Sequence, residues 1–360
     1  MRQATLAGII LARGSRLGQT TKGEYMAQEG TFKAMVLTQE DDETRHEVKE
    51  LTLDDLPEGD ILVGIKYSSL NFKDAMALTG AGPIVRSWPM VPGIDLAGTV
   101  EESDSPDYEP GDEVVLTGWG VGEEHWGGYA QKQRVSSEWL VPLPEGLDAK
   151  SAMALGTAGF TAMLCVLTLE DAGVAPDSGT VLVTGASGGV GSVAVSVLSA
   201  LGYEVAALTS SEEDETQEYL RSLGASEVVG GPEWSEDPNP LEKQRWAGAV
   251  DTVGSSILAR VLAETNYGGA VAACGMAAGT DLKTTVMPFI LRAVSLLGVD
   301  SVSCPQHERK RAWERLAQDL PEDALGKITR DETSLEEVPR YAKEMLESGV
   351  RGRIVVAPYA

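Results

Sequence analysis

Between Phe32 and about Leu155 the apolar residues come in short runs that Gly and Pro interrupt. Ala34–Leu37, Ile61–Tyr67, Ala97–Val100, Glu113–Leu116 and Tyr129–Val135 read as strands. Pro57-Glu58-Gly59-Asp60, Pro92-Gly93 and Pro110-Gly111-Asp112 supply turns between them. Short strands at this spacing predict a partly open barrel. The pattern then changes. Thr180–Thr184 is a run of the buried-strand type, followed by a glycine-rich turn and by Ser192–Leu201, with small and apolar residues at helical spacing. Glu204–Leu208 predicts a second strand, and Glu212–Leu223 a polar helix ending at Gly224. Further strands are expected at Gly248–Val253, Ala270–Cys274 and Leu296–Val299. Strands alternating with helices imply a parallel sheet with right-handed crossovers. Helices around Arg309–Asp319 and Pro339–Ser348 follow, and a final strand, Arg353–Pro358, is expected to rejoin the first unit. The fold class is therefore α/β, with 360 residues enough for about two domains.

Charge changes the picture more than composition does. The net charge is −26, and residues 40–60 alone carry ten carboxylates. Such a surface repels nucleic acid. No apolar run approaches the roughly 20 residues of a membrane span. A solvated acidic exterior suits a halophilic host, where it limits self-association in strong salt; the plainer reading is an acidic cytoplasmic enzyme. The first 25 residues run the other way: Arg2, Arg13, Arg16 and Lys22 against Glu24 give +3 and leave −29 for the rest. This basic stretch reads as a leader ahead of a true start at Met26, or as a weak signal or transit peptide. Cys165, Cys274 and Cys304 are too few and too scattered for a disulfide framework or a four-cysteine zinc lobe. His46, His125 and His307 form no ligand pair either, so no metal is expected.

The chemistry concentrates in Gly185-Ala186-Ser187-Gly188-Gly189-Val190-Gly191. Gly188 removes the Cβ that would block a pyrophosphate, and Gly191 lets the following helix pack closely on the sheet. The helix start offers free N–H groups and a positive dipole end. Strand, turn, helix and second strand in that order point to a dinucleotide. An NAD site would place a carboxylate after the second strand; here Thr209-Ser210-Ser211 offers hydroxyls that can donate to a 2′-phosphate, which favours NADP. Glu212, Glu213, Asp214 and Glu215 follow at once, and their repulsion opposes that phosphate least in high salt.

Together, Ser68–Asp74, Pro89–Asp95, Leu116–Gly122, Gly156–Leu164, Thr184–Gly191, Ala249–Gly254, Asn266–Gly275 and Thr285–Arg292 resemble the medium-chain dehydrogenases/reductases of the quinone-oxidoreductase-like kind, and within them the NADPH-dependent acrylyl-CoA reductases. The resemblance runs from about Phe32 to Val356. It implies a GroES-like catalytic domain of residues 32–155 and 301–360, a Rossmann NADP-binding domain of residues 156–300, and a leader of residues 1–31 outside the fold. It also implies a homodimer. Zinc-dependent members carry a ligand histidine where this chain has Ile94, so the resemblance too implies no metal.

The implied reaction is hydride addition from NADPH to the β-carbon of an α,β-unsaturated thioester such as acryloyl-CoA, with an enolate to be stabilised by hydrogen-bond donors. The same fold would also serve a quinone or a free enone, or an NADPH-binding protein without turnover. Asn71 is the candidate donor, or else the cap of a turn. Phe72 stands where the family often has Tyr, and so becomes a wall against the nicotinamide rather than a general acid. Lys73 and Asp74 could form a local ion pair. Ser187, Gly188, Gly189 and Val190 are expected at the pyrophosphate, Thr209, Ser210 and Ser211 at the 2′-phosphate, Thr252 near the ribose or the cofactor bridge, and Leu296 near the nicotinamide. Arg353 is expected to lend the cofactor a positive charge, or to be a solvated arginine. The acidic surface predicts that folding stability and NADPH affinity both rise with salt. Denaturation and binding titrations across a salt series check this, and full stability with unchanged affinity in dilute buffer would count against it.

Overall fold

The computed structural model describes residues 30–41, 43–347 and 349–360. The basic stretch expected to be a leader lies outside them up to residue 29, as does Ser348 at the end of the last predicted helix. The first third of the described chain forms β1 (Thr31–Glu40), β2 (Glu43–Thr52), β3 (Ile61–Leu70), α1 (Phe72–Thr79), β4 (Asp95–Ser103), β5 (Glu113–Thr117), β6 (Lys132–Val135), β7 (Val141–Pro142) and α2 (Ala149–Asp171). The middle forms β8 (Val181–Val183), α3 (Gly189–Ala200), β9 (Val205–Leu208), α4 (Asp214–Ser222), β10 (Glu227–Val229), β11 (Trp246–Asp251), α5 (Ser255–Glu264), β12 (Thr265–Ala273), α6 (Met287–Arg292) and β13 (Ser295–Gly298). The tail adds α7 (Gln306–Asp319), α8 (Ala324–Ile328), β14 (Thr329–Thr333), α9 (Val338–Glu347) and β15 (Arg353–Val356).

The middle strands build one parallel six-stranded sheet, ordered β10-β9-β8-β11-β12-β13. Its connections reverse direction between β8 and β11, and that crevice is where doubly wound sheets take their ligands. The remaining strands form the GroES-like unit, a seven-stranded sheet ordered β14-β15-β3-β4-β5-β7, with β6 pairing with Ile61–Gly64 of β3, and the two-stranded β1–β2 ribbon. β15 pairs antiparallel with β3, so the far end of the chain does return to the first unit.

Three differences from the sequence reading have physical causes. Thr31 belongs to the fold, because the pairing of β1 with β2 extends to Thr31 opposite Thr52. β2 carries few apolar residues and has only β1 as a partner, so its charge hid a strand whose backbone is nonetheless paired along its whole length. The third concerns α2. Contrary to the expectation of no span-length apolar run, its 23 residues are long and apolar enough to cross a membrane. Small residues and Gly156 disguise this run in the sequence, and the helix is buried instead against α3, α7, β3 and β4.

The tail is anchored by a cation. Arg309 of α7 is fully buried and donates to the carbonyls of Thr117 (2.6 Å), Ser301 (3.3 Å) and Val302 (3.2 Å). Its guanidinium lies 4.7 Å from the Phe160 ring centre and 5.0 Å from that of Trp119. Trp119 itself adopts a left-handed φ of 57°, a strained conformation for an aromatic residue, held by the bond from its N–H to the carbonyl of Val302.

Candidate active site

A buried polar cluster forms where β3 ends, β4 begins, α2 bends and β15 starts. The Asp95 carboxylate, wholly buried at the first position of β4, is its centre. Asp95 Oδ2 accepts from Ser69 Oγ (2.5 Å), Asn71 Nδ2 (2.8 Å) and the Thr157 N–H (2.9 Å), while Oδ1 accepts from Thr157 Oγ1 (2.5 Å). Four donors offset much of the cost of burying the charge. The opposing cation is Arg353, whose Nη2 lies 3.9 Å from Asp95. Gly156 makes this approach possible: φ is +52°, and a Cβ there would lie 2.4 Å from Asp95 Oδ2 and 2.8 Å from Arg353 Nη2. The bend in α2 at Gly156 thus delivers the Thr157 N–H to the carboxylate.

Asn71 sits inside this cluster and not at the mouth of a cleft. Its amide nitrogen donates to Asp95, Asp74 (3.1 Å) and Ser69 (3.2 Å), and its oxygen accepts from Arg353 Nη1 (3.1 Å). The donor expected for an enolate is therefore already committed. Asn71 precedes the first residue of α1 and positions that helix. Phe72, the next residue, has its ring half exposed at the rim. Lys73 pairs with Glu123 at 2.7 Å rather than with Asp74, because Asp74 turns inward.

Arg353 also departs from expectation. Only 3% exposed, it spends its donors on the carbonyls of Ala154 (3.1 Å) and Leu70 (3.2 Å), on Asn71 and on Ser69 Oγ (2.9 Å). It lies directly behind the glycine-rich turn, since a Cβ on Gly189 would come within 3.1 Å of Arg353 Nη1. Its charge supports that turn from below and is neither solvated nor free for direct contact.

The turn itself has the features a pyrophosphate needs. Ser187, Gly188, Gly189 and Val190 are partly exposed, and α3 begins after Gly188 without a side-chain cap. A Cβ on Gly191 would lie 2.3 Å from the Gly185 carbonyl, so helix and strand pack as closely as the sequence implies. Gly185 adopts φ +58°, where a Cβ would meet Thr252 Oγ1 at 2.3 Å. Buried Asp251 binds the two strand ends together, accepting from Thr184 Oγ1 (2.7 Å) and the Gly254 N–H (2.8 Å). Thr252 donates its hydroxyl to the Thr184 carbonyl (2.9 Å), and the same oxygen retains acceptor capacity.

Of the three hydroxyl residues after β9, Ser210 is exposed and Ser211 half-buried, whereas Thr209 is turned inward with its Oγ1 accepting from the Ser211 N–H (3.2 Å). Leu296 lies in β13, the edge strand of the parallel sheet. It pairs with Val271 of β12 and packs, partly buried, against the core cluster of Leu182 and Val261. Ile94 is buried, with a hydrocarbon side chain that cannot ligate a metal. Among the described residues no three His, Cys, Asp or Glu side chains come together as a metal site.

Sequence reasoning missed Ser69, Asp95, Thr157, Thr184 and Asp251 as working residues. Each acts through a partner far along the chain, and no local pattern marks such a pair.

Residues 57–145 match the family model of the alcohol dehydrogenase GroES-like domain, and residues 189–318 that of the zinc-binding dehydrogenases. The probable acrylyl-CoA reductase AcuI of Escherichia coli (strain K12) is 56% identical over 325 residues, covering 90% of this chain and 99% of the relative. The acrylyl-CoA reductase AcuI of Ruegeria pomeroyi is 54% identical, covering 90% and 98%. The crystal structure of E. coli K-12 YhdH with bound NADPH superposes with a TM-score of 0.87 at 56% identity, covering 90% of this chain and 99% of that one.

Asp74 gives the cluster a measurable signature. Burial first, then repulsion from Asp95, pushes its pKa up to about 7, against the pull of the Asn71 and Ile94 N–H groups. Between about pH 4 and pH 7 the unfolded chain has released a proton that the folded chain keeps, so this group lowers stability as pH rises through that window and adds no slope above it. Urea denaturation from about pH 5 to pH 8 should show a steeper decline for the wild type than for Asp74→Asn; equal slopes would remove the assignment.

Proposed function

We propose that this chain, which belongs to the acrylyl-CoA reductase branch of the quinone-oxidoreductase-like medium-chain dehydrogenases/reductases, reduces the C=C bond of acryloyl-CoA with NADPH to give propionyl-CoA. The observation that carries this reading is the open, uncapped start of α3 at the point where the parallel sheet reverses, backed by the buried Arg353. The turn fits a pyrophosphate on its own geometry: Gly185, Gly189 and Gly191 where a Cβ would crowd its neighbours, and a positive helix end without a side-chain cap.

When bound there, NADPH supplies the hydride for the β-carbon of the substrate. The residues of this chain hold and shape the site. Ser187 to Val190 would cradle the pyrophosphate, Ser210 and Ser211 would meet the 2′-phosphate, and Thr252 would accept from a ribose hydroxyl. The exposed ring of Phe72 and the hydrocarbon of Ile94 favour a flat, uncharged acyl group over a ligand needing a metal. Charge that develops on the thioester oxygen has to be met by a donor other than Asn71, whose amide is committed to Asp74, Asp95 and Ser69. Asn71 acts instead as a positioning residue, fixing α1 and through it Phe72.

The protein's three unpaired cysteines support a cytoplasmic reading, and its acid excess supports a halophilic host. It is also read as a homodimer. β13 is an edge strand, and Met276, Val286, Met287, Ile290 and Leu291 leave large apolar side chains exposed nearby. Such an edge and patch are covered by a partner more often than left bare. Sedimentation is expected to give a dimer that Ile290→Glu shifts toward monomer; a wild-type monomer would end that reading.

The catalytic test is NADPH consumption with acryloyl-CoA, crotonyl-CoA, a quinone and a simple enone. Fastest turnover with acryloyl-CoA is expected. Preference for the quinone or enone would move the assignment to free acceptors, and tight NADPH binding with no turnover on any of the four would leave a binding protein.

A further inference from the structure

The four carboxylates after Ser211 pose a physical problem for any cofactor that carries a 2′-phosphate. Glu212, Glu213, Asp214 and Glu215 lead into α4, and no basic residue accompanies them in sequence. The fold supplies one from elsewhere. Arg351, in the bend before β15, reaches Glu215 in the first turn of α4 at 3.7 Å and lies 5.4 Å from the ring centre of Tyr219. Its neighbour Gly352 donates its N–H to the carbonyl of Ser187, inside the glycine-rich turn, at 3.0 Å. Gly352 is held at φ +72°, and a Cβ there would stand 2.2 Å from the Ile328 carbonyl and 3.3 Å from the Tyr219 hydroxyl. The bend is therefore pinned against both α4 and the turn. Tyr219 is fixed in turn by the bond from its hydroxyl to Ser192 Oγ in α3 (2.9 Å).

Arg351 thus stands between the glycine-rich turn and the start of α4. Those two segments flank the adenosine ribose in a Rossmann crevice. Its present carboxylate partner holds it loosely, through one long contact to a Glu215 side chain that is 83% exposed. Exposed pairs of that kind contribute little. A phosphate carries about twice the charge of a carboxylate and matches the guanidinium fork in a bidentate manner. We propose that Arg351 recognises the 2′-phosphate of NADPH, exchanging Glu215 for it and so offsetting the acidic turn. This inference rests on the NADPH reading above and goes beyond it by naming the cation.

Binding, measured without turnover, tests it. Dissociation constants for NADPH, NADH, 2′,5′-ADP and 5′-ADP would be compared at one salt concentration for wild type, Arg351→Gln, Arg351→Lys and Glu215→Gln. Arg351→Gln is expected to weaken NADPH and 2′,5′-ADP by about tenfold or more while NADH and 5′-ADP stay within about twofold, as loss of one charged hydrogen-bond partner implies. Arg351→Lys should recover part of the loss, because it keeps the charge without the fork. Glu215→Gln should tighten 2′,5′-ADP. An equal loss for all four ligands would make Arg351 merely structural, and an unchanged NADPH preference in Arg351→Gln would overturn the inference while leaving the NADPH reading intact. A wild type that binds NADH as tightly as NADPH would overturn both.

Discussion

A carboxylate sealed from water sets the terms for this structure. Asp95 is wholly buried, and an ion in that position persists only if donors surround it and a cation stands near. Those partners come from the end of β3, the bend of α2 and the start of β15. Each segment is therefore held in register by one charge as well as by its own packing. The glycine-rich turn rests on the same assembly through Arg353, so the crevice of the parallel sheet and the floor of the barrel share a foundation. Removing one partner of such a cluster strands the others without water, which makes it far more sensitive than its small size suggests.

Much of the framework was legible from the chain. Strands of the parallel sheet stand out as short apolar runs such as Thr180–Thr184 and Glu204–Leu208, and the turn after the first of them carries its own signature in glycine spacing. β2 was hidden because a ribbon strand exposed on both faces loses the alternation that burial imposes. α2 was hidden for the opposite reason: buried along most of its length, it shows no polar face. At the site, the local motif placed Ser187 to Val190 where a helix starts, while Asn71 and Arg353 looked more available than they are. Availability depends on what surrounds a side chain in space. The fate of Asn71 depends on Asp95, 24 positions away, and that of Arg353 on Ser69, 284 positions away.

The charge pattern now divides into two parts. Over the whole chain carboxylates outnumber cations by 26, and the exposed ones keep the surface hydrated. Inside, the two most deeply buried arginines among the described residues are fully engaged by the fold, Arg309 through carbonyls and the Thr117 hydroxyl and Arg353 through carbonyls, a hydroxyl and an amide oxygen. Burial lowers the pKa of both, that of Arg309 to about 10, while neighbouring acidic groups, Asp95 among them, pull each back upward. The cation behind the glycine-rich turn is therefore balanced inside the fold by Asp95, while the excess of carboxylates belongs to the chain as a whole.

The 284 positions between Ser69 and Arg353 also carry a meaning for biosynthesis. β3 and β4 leave the ribosome early and can pair at once, but Asp95 then has no counter-cation to be buried against. The hub closes only after residue 353 has been made, by which time the whole parallel sheet has had the opportunity to fold in between. The first unit to be synthesised is thus the last that can be completed.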